Sequence, residues 1–166
     1  MKDFDLQSRA IIMCGISGSG KTHYARSLEK KGYVRLSTDL LIWEKTGTEL
    51  YKLSKEEKNQ LFSMCRAQVR DEFIALLKSG HKVVIDATHC KRSTRDEMRH
   101  ICSEIGVKPV FVYCDAEEEE LWRRLSQRKG NGPDDLIVTR EDLSEYWLGF
   151  ERPQADETDF IFLKQV

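Results

Sequence analysis

Eight consecutive residues, Gly15-Ile16-Ser17-Gly18-Ser19-Gly20-Lys21-Thr22, satisfy every fixed position of the pattern G-x-x-x-x-G-K-[ST]. The run before them, Ala10-Ile11-Ile12-Met13-Cys14, is wholly apolar, as in a strand covered on both faces. A glycine-rich turn between such a strand and a helix curls the backbone so that successive N–H groups converge on an anion. The helix adds its positive end. Gly15, Ser17, Gly18, Ser19, Gly20, Lys21 and Thr22 are therefore expected to cradle nucleotide phosphates. Lys21 should reach the β and γ phosphates, and the Thr22 hydroxyl should ligand Mg²⁺. A strand–turn–helix unit of this kind points to an α/β fold.

The remaining chain keeps alternating strand and helix. A helix from about Gly20 should stop at Lys30-Lys31-Gly32, where cations meet the negative helix end before a terminating glycine. Tyr33-Val34-Arg35-Leu36 reads as a second strand. Ser54-Lys55-Glu56-Glu57 is a capping box opening a long helix that Gly80 ends, with Phe62, Cys65, Val69, Phe73 and Leu76 at helical spacing. Lys82-Val83-Val84-Ile85 has no polar alternation and belongs inside the sheet. A helix from near Ser93-Thr94 buries Met98, Ile101, Cys102 and Ile105 before Gly106, and Val110-Phe111-Val112-Tyr113 is a fourth strand.

Asp115 is expected to cap a helix whose first turn carries Glu117 to Glu120, where carboxylates favour the helix dipole rather than a metal. Thr139-Arg140-Glu141-Asp142 opens another helix that buries Leu143, Tyr146, Trp147 and Phe150, and Phe160-Ile161-Phe162-Leu163 is a fifth strand. The prediction is one domain over residues 1–166, a P-loop NTPase fold with a parallel five-stranded sheet sandwiched by helices. A helical lid is expected over about residues 122–140.

Composition narrows the class. With a net charge of −1, no overall positive field draws the chain to nucleic acid. Five cysteines (Cys14, Cys65, Cys90, Cys102 and Cys114) form no C-x-x-C pair, which suits a reducing compartment better than a disulfide scaffold or zinc site. Met1-Lys2-Asp3-Phe4-Asp5 carries acids where a signal peptide needs an apolar stretch. No apolar run approaches the roughly 20 residues of a membrane span. A cytoplasmic protein without a membrane partner is expected.

Phosphate loops serve kinases, switches, transporters and motors, so the loop alone names no reaction. The chain has neither the N-K-x-D sequence of GTPases nor the L-S-G-G-Q signature of transporter ATPases. Two carboxylates point to a kinase. Asp39 follows the second strand and Asp86 the third, and ligands of open α/β sheets bind at that carboxyl edge. Asp39 can orient an acceptor hydroxyl and take its proton, while Asp86 is expected to hold Mg²⁺ through a bound water. Arg124 and Arg128, four apart on one expected helix, are candidate lid arginines that neutralise charge on the phosphoryl group. The segment Lys129-Gly130-Asn131-Gly132-Pro133-Asp134-Asp135 reads as the flexible loop such a lid needs.

Taken together, Gly15–Thr22, Asp39, Asp86-Ala87-Thr88 and Arg124-x-x-x-Arg128 resemble the kinase domain of polynucleotide 5′-hydroxyl kinases, and the wider group of small kinases related to zeta toxins. The resemblance runs from about Ile11 to the last strand. It implies Asp39 as general base, Lys21 and Thr22 on phosphate and magnesium, and Arg124 and Arg128 as lid arginines. Phe150-Glu151-Arg152-Pro153 followed by Asp156-Glu157 is similar to the tail of stand-alone members.

One departure matters. Polynucleotide kinases carry an arginine three residues after the base, and this chain has Ile42, expected to leave an apolar patch that disfavours a nucleic-acid partner. Trp43, Thr88 and Arg92 are candidate acceptor contacts beside Asp39, and His89 adjoins them. The reading is an ATP-dependent kinase acting on a hydroxyl of a small-molecule or nucleotide-like acceptor. The alternatives are a polynucleotide 5′-hydroxyl kinase and a regulatory ATPase that has no acceptor.

Overall fold

The computed structural model describes residues 7–164. In chain order its elements are β1 (Ala10–Cys14), α1 (Lys21–Glu29), β2 (Tyr33–Ser37), α2 (Thr38–Thr46), α3 (Lys55–Lys78), β3 (Lys82–Asp86), α4 (Arg92–Ile105), β4 (Pro109–Asp115), α5 (Glu118–Leu125), α6 (Arg140–Gly149) and β5 (Phe160–Lys164). Short 3-10 turns occupy Gly47–Lys52 and Pro133–Asp135. The strands form one sheet in the order β2-β3-β1-β4-β5, and all four pairings are parallel.

The uninterrupted apolar run of β1 is explained by its place in the middle of this sheet, with helices on both faces. On one face Ala10 and Ile12 pack with Val83, Ile85 and Phe111 against Val69, Phe73 and Leu77 of α3 and Met98 and Cys102 of α4. On the other, Ile11, Met13, Val84 and Val112 meet Tyr24, Ala25 and Leu28 of α1. The chain leaves β1 toward β2 on one side and later crosses to β4 on the other. That reversal opens a crevice at the carboxyl end of β1, the position where open α/β sheets bind ligands. Cys14, Ile16 and Tyr113 meet Leu121, Leu125, Leu143 and Phe150 at this end, so α5 and α6 pack beside the crevice.

Several local expectations are corrected. Asp39 lies in the first turn of α2, a helix that apolar periodicity could not reveal because Leu40, Leu41, Ile42 and Trp43 are consecutive. The Ser37 hydroxyl accepts from the Leu40 N–H at 3.2 Å and starts that helix. Ile42 is only 3% exposed, so it belongs to the core and leaves no apolar patch on the acceptor side. Helix α3 buries Cys65, Val69 and Phe73 as expected, but its last buried position is Leu77, with Leu76 only partly covered.

Asp115 ends β4 instead of capping α5, and its carboxylate accepts from the Tyr113 hydroxyl at 2.9 Å. Helix α5 stops at Leu125, where Gln127 and Arg128 bond to carbonyls three residues back and tighten the last turn. Arg128 therefore lies beyond the helix that carries Arg124. Tyr146 is 41% exposed, not buried. The expected capping box of Ser54 with Glu57 forms, and the helix start at Thr139 carries a second one with Asp142. Among the described residues no helix is long and apolar enough to cross a membrane.

Candidate functional site

The loop from Gly15 to Gly20 sits at the carboxyl end of β1 and runs into α1. Gly15 has a φ of 141°, and a Cβ there would come within 2.6 Å of the Cys114 carbonyl oxygen, so only glycine fits. Its N–H donates to the Thr88 carbonyl at 3.1 Å. Gly18 backs onto α5, where a Cβ would meet Leu125 Cγ at 3.1 Å. Inside the curl the Ser19 N–H bonds to the Ile16 carbonyl, and the Lys21 ammonium bends back to the same oxygen at 2.9 Å. Ser19 Oγ and Thr38 Oγ1 are buried without any hydrogen-bond partner. A folded protein rarely leaves such groups unpaired, and Ser19, inside the phosphate loop, marks where a polar ligand belongs.

Asp39 lies on α2 beside this loop. Its carboxyl is open to solvent, yet protein crowds around it, and this desolvation raises its pKa above the ordinary value. Lys21 and Arg128 act in the opposite direction, and Asp86 and Asp134 add to the rise. Two of the expected cations therefore stand within electrostatic reach of the expected base. Arg128 donates to the Leu136 carbonyl at 3.0 Å, and burial lowers its pKa against the fields of Asp39, Asp135 and Asp134. Arg124 donates to the Gly18 carbonyl at 3.1 Å, while Glu120 holds its Nε at 2.6 Å.

The loop expected to be flexible is wound on its own hydrogen bonds. Asp135 accepts from the Lys129 and Asn131 N–H groups, both at 3.1 Å, and Asp134 pairs with Arg26 of α1.

Asp86 is 4% exposed and follows Val84 at a spacing of two, so it faces α1 and the root of the phosphate loop. Arg35, which sequence reasoning passed over, donates to Asp86 Oδ2 at 2.9 Å. It follows Tyr33 on the same alternation, and that β-strand parity was the one available signal. Magnesium takes one or two protein oxygens and completes its shell with phosphates and water. The Thr22 hydroxyl at the start of α1 and one carboxylate, Asp86, fit that donor set.

Among the expected acceptor contacts, Trp43 is one helical turn from Asp39 on α2 and partly buried, and Thr88 is exposed beside Gly15. Arg92 is a correction. Its guanidinium bonds to both oxygens of Asp156 at 3.0 Å and to Asp96, so it is committed to the tail. His89 adopts a left-handed φ of 42°, with Nδ1 2.9 Å from the Met13 carbonyl oxygen. Burial pushes its pKa down to about 4, so the ring is neutral near pH 7 and serves as packing. Arg95, also missed, is fully buried and bonds to both oxygens of Glu157 at 2.8 and 2.7 Å.

The family described as AAA domain matches residues 11–153, a span that holds the Gly15–Thr22 loop, Asp39, Asp86, Arg124 and Arg128. The chain belongs to that family. Its fold is that of the small P-loop kinases. A gluconokinase from Sinorhizobium meliloti 1021 superposes with a TM-score of 0.65 at 22% identity, over 93% of this chain and 81% of that one. Kti12 of Chaetomium thermophilum, solved with ADP-AlF3, gives 0.64 at 15% identity over 93% and 88%. A chain of the Pnkp1/Rnl/Hen1 complex is 31% identical, with a TM-score of 0.54, over 69% of this AAA domain but only 38% of its own length. No curated protein sequence matches the chain.

Proposed function

We propose that this AAA domain transfers the γ-phosphate of ATP to a hydroxyl group of a small-molecule or nucleotide-like acceptor. The observation that carries this reading is the convergence on Asp39, a solvent-open carboxyl with a raised pKa beside Lys21 of the phosphate loop and Arg128. As the acceptor oxygen bonds to phosphorus and the bond to ADP breaks, Asp39 takes the hydroxyl proton. Its raised pKa makes it a stronger base than an ordinary aspartate. Lys21 swings from the Ile16 carbonyl to the phosphates, and Arg124 and Arg128 offset charge on the phosphoryl oxygens. Magnesium held by Thr22 and Asp86 would neutralise the β and γ oxygens when bound.

Trp43 and Thr88 flank the acceptor in this reading. A nucleic-acid acceptor is disfavoured because buried Ile42 stands where an arginine would meet an acceptor phosphate and the chain carries a net charge of −1.

The test is incubation with Mg²⁺ and γ-labelled ATP against metabolites, nucleosides and 5′-hydroxyl oligonucleotides, with Asp39→Asn in parallel. Label is expected on a neutral small molecule or nucleoside and absent in the variant. Label on oligonucleotides would favour the polynucleotide kinase. ATP binding with no labelled acceptor in any class would favour a regulatory ATPase.

A further inference from the structure

A buried ion pair is an unusual way to dock a tail. Arg95 and Glu157 are both shielded from water, and taking two charges out of water costs about as much as their attraction returns. Apolar side chains would attach residues 151–159 to α4 equally well. A guanidinium adds a planar fork of five donors. Arg95 spends Nε and Nη2 on Glu157, then directs Nη1 to two backbone carbonyls, Glu151 at 2.9 Å and His89 at 3.3 Å.

The second of those carbonyls belongs to the turn that abuts the phosphate loop. The His89 carbonyl also accepts from the Cys14 thiol at 3.5 Å, and its ring bonds to the Met13 carbonyl. Cys90 accepts from the Glu151 N–H at 2.9 Å, and Thr88 accepts from the Gly15 N–H at 3.1 Å. His89 is the one described non-glycine residue with positive φ. Such a backbone persists only where its surroundings over-determine it. Glu157 is fixed in turn by the Gln154 N–H at 3.0 Å and by Arg99 at 2.8 Å.

We propose that Arg95 and Glu157 are positioning residues that hold the Thr88–Cys90 turn against Gly15, so that the tail sets the geometry of the phosphate loop and its affinity for nucleotide. This rests on the loop binding nucleotide, as the proposed function requires.

Two readouts on the full chain test it. One is hydrogen exchange of the 13–20 segment without ligand, and the other is binding of a non-hydrolysable ATP analogue. Glu157→Gln removes the charge at constant shape. Asp159→Asn is the matched control, because it weakens the Arg99 pair at 2.7 and 2.8 Å in the same tail, while Arg95 keeps its bonds to Glu157 and His89 and Arg99 keeps its own bond to Glu157. Glu157→Gln should speed exchange at Gly15 and weaken the analogue about tenfold. Asp159→Asn should match wild type in both. Arg95→Lys, which keeps the charge but loses the fork, should behave like Glu157→Gln. Equal exchange and equal affinity in Glu157→Gln and Asp159→Asn would overturn the proposal. If wild type binds no analogue, the nucleotide reading fails, and the exchange comparison still decides the positioning role. Should Glu157→Gln not fold, Glu157→Asp, which retracts the carboxylate by one methylene, is read in the same way.

Discussion

Two charge-rich regions of this AAA domain are built on opposite rules. Along α4, Arg92, Arg95 and Arg99 form one stripe, and each meets carboxylates of the tail, namely Asp156, Glu157 and Asp159. At the phosphate loop, Lys21 settles for a backbone carbonyl and the buried Ser19 hydroxyl has no partner, as is true of the Thr38 hydroxyl at the start of α2. Arginine content was similar evidence for both regions in the sequence. The difference is saturation: charges that satisfy one another build structure, whereas polar groups left unsatisfied inside a fold are kept for a ligand.

The largest effect expected from breaking this contrast is at Lys21. Lys21→Met should slow release or transfer of labelled phosphate from ATP by about three orders of magnitude, since it removes a fixed charge at the phosphates. Its melting temperature should change little. On the saturated side the signs reverse. Arg95→Met leaves Glu157 buried without its main partner and should cost about 3 to 5 kcal/mol in denaturant titration. The double variant Arg95→Met/Glu157→Met should recover most of that stability without recovering nucleotide affinity.

Acid sharpens the same point. Burial by itself would raise the pKa of Glu157, but hydrogen bonds from Arg95, Gln154 and Arg99 outweigh it and hold the group at about 2. A depressed carboxylate stabilises the fold above its ordinary value of 4.5 and loses that contribution as pH falls toward 2. Glu157→Gln should flatten this loss in pH-dependent unfolding.

Smaller effects are expected where groups are unsatisfied. Ser19→Ala and Thr38→Val each delete a buried hydroxyl with no partner, so each should stabilise the ligand-free chain by about 1 kcal/mol while weakening ATP. Asp39→Asn is expected to change stability least. A carboxyl whose folded pKa is raised opposes folding when ionised, so its removal should leave the melting temperature equal or slightly higher at neutral pH. Phosphate transfer by wild type should fall on acidification with a midpoint above the ordinary 3.8, because the base must be deprotonated.

Much of the site was legible because it is local. Gly15 to Thr22 is one uninterrupted segment whose geometry follows from glycine freedom and a helix start. Asp39 and Asp86 could be assigned to strand ends because β2 and β3 announce themselves by composition. Arg128 was expected on the helix of Arg124 but lies beyond it, since the 3-10 tightening after Leu125 leaves no trace in residue spacing. The pairing of Arg92 with Asp96 is visible at i,i+4 spacing, but nothing within ten residues reveals its second partner, Asp156, 64 positions away.

By itself the sequence determined the phosphate-loop motif between a strand and a helix, the alternation of strands and helices, and the parallel sheet. These follow from short-range periodicity and backbone preference, which act within a turn or a strand. Only the tertiary structure decided which arginines serve the loop and which clamp the tail, that Arg35 holds Asp86, and that Ile42 faces the core. Pairing of charges depends on distances between elements far apart in the chain, and desolvation depends on everything packed around a group, so neither is encoded in any one stretch of residues.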